Sequence, residues 1–234
     1  MTLQAGSYLR LVPSILLLAG ASAPAALSAE RVPLALSHWR IEAEDNHAKV
    51  ARKGDLIDMD SARGITLWFD RPLASPVRIR FEARAVSGPG PNDKVSDLNA
   101  FWMATEPDGA SPLEHPRTGR FEDYDTLRMY YVGIGGNRNS TTRLRRYIGR
   151  PGDRPLLPEH DRQDKAAMLV PDRWTEISLI ADGEHVAVER DGQPLFTMID
   201  TSPYRRGWFG LRTTWSHIQV RRVTIDRSTK TRSP

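Results

Sequence analysis

The stretch PVRIRFEARAV, Pro76–Val86, decides the fold. Val77, Ile79, Phe81 and Ala83 fall on one side of an extended chain, and Arg78, Arg80, Glu82 and Arg84 fall on the other. This period of two predicts a strand that covers a core with one face and meets water with the other. The same kind of run recurs on both sides of it. HWRIEAED (His38–Asp45) alternates, and GITLWFD (Gly64–Asp70) reads as a strand with a polar end. DLNAFWMAT (Asp97–Thr105) reads as a dense, largely buried strand. RWTEISLIAD, EHVAVERDG and QPLFTMID form a meander with turns at Asp182-Gly183 and Asp191-Gly192. Asp-Gly between alternating runs is a strong hairpin signal. GWFGLRTTW and SHIQVRRVTID close the chain. Many short strands at regular spacing, with no sustained helical period after residue 30, predict an all-β sandwich or barrel. No linker divides it, so residues 30–226 read as one domain and 227–234 as a polar tail.

Composition narrows the chemistry. The 234 residues include no cysteine, which removes disulfides, thiolate nucleophiles and Cys-ligated metals. The N-terminus carries Arg10, an apolar run around Ile15–Leu18, and small residues ending in Leu27-Ser28-Ala29. That is the layout of a secretory signal peptide, so 1–29 is expected to be removed, leaving a periplasmic or secreted protein with no membrane segment. The formal net charge is +4, and only five of the 33 basic residues are lysine. Arginine suits planar, bidentate recognition of carboxylate or phosphate. Nucleic acid shares that chemistry, but an exported protein meets acidic polysaccharides instead, so an oligosaccharide or polysaccharide is the expected partner and nucleic acid is not.

The C-terminal half carries a longer phrase. A Trp-centred strand at Trp174 leads into ADGEHVAVERDGQPLF, then D-x-x-P-Y-x-x-G-W-F-G-L-R-T-T-x-S from Asp200 to Ser216. This resembles the ending of concanavalin A-like lectin/glucanase jelly rolls. The middle, from SDLNAFWMA (Ser96–Ala104) through YDTLRMYYVGIGGNRNSTTRLRRY (Tyr124–Tyr147) to RPLLPEHD (Arg154–Asp161), resembles an exported bacterial jelly-roll family of unknown function, near polysaccharide lyases and hydrolases. The likeness spans about residues 38–226. It implies a two-sheet antiparallel sandwich in which the outer face of the more curved sheet is a sugar groove. It transfers no catalytic residue, because this fold hosts lectins, hydrolases and lyases alike.

TLRMYYVGIGGNRNSTTRLRRY, Thr126–Tyr147, is the candidate groove floor. It reads as two strands joined through Gly133–Ser140. Alternation puts Leu127, Met129 and Tyr131 inward and Arg128 and Tyr130 outward. In the second strand Leu144 and Ile148 mark the inner face, with Arg143, Arg145 and Tyr147 outward. Arg146 breaks the pattern, which fits a sheet edge or a buried acid partner. Asn137 and Asn139 offer amides at the turn. Gly133, Gly135 and Gly136 lack the spacing and the helix of a dinucleotide site and fit a turn or a close backbone approach. An exposed strand face with stacked Tyr and solvated Arg would have the same composition. The scarcity of Lys and Glu in this stretch favours a uronate floor instead, with guanidinium for the carboxylate and a ring face for the sugar.

β-Elimination needs a group that neutralises the uronate carboxylate, a base for the C5 proton and an acid for the leaving oxygen. Asn99, Arg128, Arg143, Arg145, Asn137 and Asn139 are the expected substrate-binding residues, with Trp215 as the aromatic platform. Tyr147, Tyr130 and His160 are the expected proton-handling residues. A basic Tyr requires nearby arginine, and Arg143 and Arg145 are placed to provide it for Tyr147. The alternatives are a non-catalytic carbohydrate-binding module on the same floor, or a glycoside hydrolase using Asp125 or another carboxylate. The pairs Glu42/Glu44 and Asp123/Asp125 do not follow the jelly-roll hydrolase pattern, and a retaining mechanism needs two close carboxyls. Trp68, Trp102, Trp174 and Trp208 are expected in the core. No cofactor is expected. Lectin-like sandwiches often hold a structural calcium, but no loop has a dense enough Asp/Asn run to assign one.

Overall fold

The structure, a computed structural model, describes residues 27–228. Most of the expected leader, 1–26, lies outside them, as does the tail from 229. The strands are β1 (Leu27–Arg31), β2 (Trp39–Ala43), β3 (Lys49–Lys53), β4 (Leu56–Ser61), β5 (Ile65–Phe69), β6 (Leu73–Ala74), β7 (Val77–Ala85), β8 (Leu98–Thr105), β9 (Arg128–Gly135), β10 (Thr141–Ile148), β11 (Asp161–Arg162), β12 (Thr175–Asp182), β13 (His185–Arg190), β14 (Gln193–Ile199), β15 (Arg206–Thr213) and β16 (Ser216–Ser228). They form two antiparallel sheets. The first runs β14-β13-β12-β7-β16-β4-β3, with β1 on β16; the second runs β11-β10-β9-β8-β15-β5-β2, with β6 on β15. This is the expected all-β, two-sheet jelly-roll sandwich.

β7 behaves as its sequence dictates: Val77, Ile79, Phe81, Ala83 and Ala85 are buried and the charged residues between them are half-exposed. Their partners across the sandwich include Trp102, Tyr130, Val132, Leu144 and Phe209, and this is the main core. The hairpin β3–β4 adds two strands to those the alternating runs marked, and Asp58 on β4 is held inside by partners described below. β1 pairs with β16 from Leu27↔Ser228 to Arg31↔Thr224, so regular pairing begins before the expected mature start and runs two residues into the expected tail.

The second sheet is covered on both faces. Trp68, Phe101, Tyr124, Met129, Tyr131, Tyr147 and Trp208 form a second aromatic cluster on its outer side, with Leu113 and Phe121 packed against it. The long segment 106–126 supplies the lid of this cluster. Buried Glu42 holds that segment in place, accepting from Trp68 Nε1 (3.0 Å), the Tyr124 hydroxyl (2.8 Å) and the Arg117 amide (2.8 Å). Arg117 then donates to Glu106 (2.7 Å) and Thr126 (3.0 Å). This segment is therefore a packed element that leaves only part of the sheet open.

Trp68, Trp102 and Trp208 are buried as expected. Trp174 is not in the core. It lies half-exposed on the outer side of the first sheet between Arg84 (4.9 Å) and Arg221 (4.0 Å).

Candidate functional site

The open part of the second sheet's outer face is a groove of about 490 Å³. Its floor comes from the hairpin singled out in the sequence. β9 and β10 pair with Gly133 opposite Arg143, Tyr131 opposite Arg145 and Met129 opposite Tyr147. Directly opposed residues share a face, so Arg143, Arg145 and Tyr131 point outward together.

This reverses the expected parity of the first strand. Tyr131 and Met129 face outward, whereas Tyr130 faces the main core, its ring tilted against Trp102, and donates to Asp200 (2.7 Å). The cause is the second cluster: with both faces of the sheet apolar, alternation marks two faces but not which one is inner. Arg146 follows Tyr130 inward and pairs with buried Asp200 (2.7 Å), the second of the two readings its position allowed. Arg128 lies over Tyr204 (5.2 Å) and donates to the Pro107 carbonyl, away from the groove.

The other expected proton-handling residues also lie elsewhere. Tyr147 is on the outward face, as read, but is fully buried beneath Tyr131 (rings 5.8 Å apart), and its hydroxyl has no partner. Burial pushes its phenol up, against the pull of Arg154 and Arg145, so the arginines do not make it a base. His160 is buried, with Nε2 3.1 Å from the Thr197 carbonyl and its ring edge-on to Phe196. Asn139 is structural: it donates to the Leu169 carbonyl (3.0 Å) and accepts from the Leu169 amide (2.9 Å). Asp125, the hydrolase candidate, is buried and accepts from Arg154 (2.7 Å) and the Gly152 amide (3.1 Å).

Asn99, Asn137, Arg143, Arg145 and Trp215 do line the groove. Asn99 accepts from the Tyr131 hydroxyl (2.9 Å). Gly133 makes that contact possible, since a Cβ there would stand 2.1 Å from the hydroxyl and 2.8 Å from Asn99 Oδ1. Burial pushes the Tyr131 phenol up, and Asp97 adds to the rise, so this tyrosine stays protonated. Arg143 is held by Asp161 in a two-point pair (2.8 and 3.2 Å). Arg145 donates to the Arg154 carbonyl.

Three groove residues escaped the sequence reading. Arg212 sits on β15, a strand otherwise buried and apolar around it, and is only 2% exposed. It donates to Thr66 (3.0 Å) and the Gly119 carbonyl (2.7 Å), and lies 5.2 Å from the ring centres of Phe121 and Tyr124. Its Nε has no partner, and no carboxylate pairs with it among the described residues. Gly64 makes room for it: a Cβ there would stand 2.5 Å from the guanidinium. Burial pulls its pKa down, against the opposing influence of the two tyrosines Tyr124 and Tyr131. Asp97 lies at the groove wall with φ 55°, and burial pushes its carboxyl up against the pull of Ser96 and Arg212. Tyr131 is the third. The available signals were an arginine inside WFGLRTT and an Asp two residues from Asn99.

Seven arginines and three acids line the groove. Of the acids, Glu44 is held by Arg63 (3.1 Å) and the Gly64 amide (3.1 Å). Among the described residues no group of three or more His, Cys, Asp or Glu is arranged to hold a metal.

Residues 59–223 match the family described as "Domain of unknown function (DUF6250)", and the chain belongs to that family. No curated protein matches the sequence. Among solved structures, a Bacillus subtilis protein of unknown function with a galectin-like fold superposes with a TM-score of 0.60 at 16% identity, covering 81% of this chain and 89% of its own. The carbohydrate-binding module CBM66 from Bacillus subtilis gives 0.55 at 9% identity, with 81% and 96% covered. The VIP36 exoplasmic/lumenal domain, solved with Ca2+ and Man3GlcNAc, gives 0.56 at 9%, with 85% and 87% covered. At these identities the likeness is one of fold: a galectin-like, concanavalin A-like jelly roll.

Proposed function

We propose that this DUF6250 protein binds an acidic carbohydrate chain, uronate-containing polysaccharide in the first place, in the arginine-lined groove. The observation that carries the reading is Arg212. A buried guanidinium without a carboxylate is costly to hold in a fold, and this one lies at a groove whose other cations outnumber its acids. An incoming carboxylate supplies the missing partner in bidentate geometry. Carbohydrate binding by structural neighbours such as CBM66 supports the sugar half of the proposal. An exported location, in periplasm or medium, is part of the same proposal.

A second reading, lyase-type β-elimination, is favoured by the Asn99–Tyr131 pair beside Asp97. Asp97 immediately precedes β8 and Asn99 is its second residue, both at the groove wall, and Tyr131 bonds Asn99 directly. In this scheme Arg212 and Asn99 neutralise the uronate carboxylate. Asp97, with its raised carboxyl pKa, takes the C5 proton. The C4–O bond breaks with its electron pair on the leaving oxygen, which takes the Tyr131 proton, and a C4–C5 double bond forms. These are positioned acid and base roles of the ordinary kind.

The test uses purified protein with polygalacturonate, alginate, hyaluronan and a neutral glucan. Retardation in gels containing the acidic polymers, lost in Arg212→Gln, is the expected result. Equal retardation by the neutral glucan, or an unaltered Arg212→Gln, overturns the acidic reading. Ultraviolet absorbance from unsaturated uronate, abolished in Tyr131→Phe with binding kept, identifies the lyase; binding without absorbance leaves a binding module.

A further inference from the structure

A second cavity of about 460 Å³ adjoins the groove, walled by Ala62, Asn92, Lys94, Val95 and Ser96. Arg138 and Trp215 line both spaces, so they form the saddle between them. Trp215 is 55% exposed, the one exposed tryptophan among the large exposed apolar side chains, and its indole lies 5.9 Å from the Arg138 guanidinium. Both residues hold left-handed backbone, φ 53° at Trp215 and 60° at Arg138. Neither is loosely held. Asn139 ties the Arg138 turn to Leu169 by two hydrogen bonds, and Ser140 N closes it on the Gly136 carbonyl (2.9 Å). Thr213 and Ser216 hydroxyls bond across the Trp215 corner (2.6 Å).

An exposed indole fixed at the ridge between a polar groove and a second cavity can serve a sugar site as a flat face for a pyranose ring. Cations continue beyond it, with Arg138 at the ridge and Lys94 in the far cavity. We infer that the bound chain crosses the ridge: the protein takes an internal run of an acidic polysaccharide, with one sugar stacked on Trp215 and the next anionic group reaching Lys94, instead of gripping a chain end. This rests on the groove reading above and extends it past the arginine floor.

The experiment compares a digalacturonate with a hexagalacturonate by titration calorimetry, after the polymer panel. Trp215→Asn is the variant of choice because Asn tolerates the left-handed backbone. It is expected to weaken the hexamer about three- to tenfold, within the range of one aromatic stacking contact, and the dimer by less than about twofold. Lys94→Gln is expected to weaken only the hexamer and to lessen the salt dependence of its binding. Equal losses for both lengths, or none for either, overturn the inference, since the ridge would then be part of the first groove or unused. Arg212→Gln separates the two levels: it weakens both lengths if the groove reading holds. If neither length and no polymer binds, the groove reading falls and this inference with it.

Discussion

His217 is the residue whose replacement tests how the far cavity is held. Its Nδ1 lies 2.7 Å from Asp93 and its Nε2 2.9 Å from Asp58. A neutral imidazole has one N–H, so satisfying both carboxylates requires the imidazolium. Burial opposes the charge, but the bonds to Asp58 and Asp93, with Asp60 behind them, outweigh it and raise the pKa. Asp58 is lowered despite burial, because Lys53, His217 and Gln219 all donate to it. Asp93 is lowered chiefly by His217 and by the Gly90 amide. Asp93 sits in the segment that carries Asn92, Lys94 and Ser96, so the clamp fixes the cavity wall to β16 and β4.

The side chains of His217, Asp58 and Asp93 are 14%, 5% and 16% exposed. That places the clamp between surface pairs worth under about 1 kcal/mol and buried ones whose breaking costs about 3–5 kcal/mol. His217→Gln should therefore destabilise by about 2–3 kcal/mol, a fall in Tm of about 4–12 °C for a domain of this size. A raised His contributes stability that is complete below its ordinary value near 6.5 and is lost as pH rises through the folded value. The lowered carboxylates contribute above their ordinary value near 3.9 and lose it as pH falls through their folded values. The gap between wild type and variant should be widest from about pH 4 to 6.5 and should shrink toward alkaline pH. Thermal unfolding across pH 4–9, with amide exchange of residues 87–97, measures it. A gap that stays constant across that range would refute the charged clamp.

Gly133→Ala should displace the Tyr131 hydroxyl from Asn99, costing about 1–3 kcal/mol of overpacking and lowering acidic-polymer retention; denaturant unfolding and gel retardation read the two effects. Asp200→Asn should destabilise by about 2–3 kcal/mol by stranding half-buried Arg146, between the surface and buried limits, without weakening polymer binding. Because the Asp200 carboxyl is held below its ordinary value, chiefly by Arg146 and Tyr130 against the cost of burial, that deficit should fade as pH falls through the folded value; unfolding at pH 3 and 7 checks it. Glu42→Gln turns one of three satisfied acceptor contacts into a misplaced donor, at about 1–3 kcal/mol, and should open segment 106–126 to limited proteolysis.

The sandwich was legible because one-sided strands such as β7 announce both faces. Where the sheet is covered twice the same logic loses its sign, and Tyr130 and Tyr131 exchange places. Asp58 and Asp60 sit on β4, where His217, Lys53 and Asn92 satisfy them from neighbouring strands or loops, partners that no local pattern names. The candidate site was legible in its arginines and in Asn99, whose types carry the chemistry. It was not legible in Tyr147 or His160, because exposure depends on which loop folds over which end of the sheet. Arg212 was hidden by its setting: an arginine in an apolar strand reads as an outward residue until Gly64, Gly119 and Phe121 are seen to close around it.

The groove is also where this backbone departs most from ordinary geometry. Asp97, Asn137, Arg138 and Trp215 all hold positive φ without being glycine, and all four line it. Such residues cost on the order of 1–3 kcal/mol each and persist only where the surroundings fix them. Here the fixing contacts are visible: the Asp97 amide on the Gly135 carbonyl (3.0 Å), Asn139 on Leu169, and Thr213 on Ser216. A rim set in place before the ligand arrives loses little freedom when it binds, which is where rigid sites gain affinity. The same anchors explain why Asn139, which touches no proposed ligand, should still matter: without its two bonds to Leu169 the Arg138–Trp215 ridge has no reason to keep its strained form.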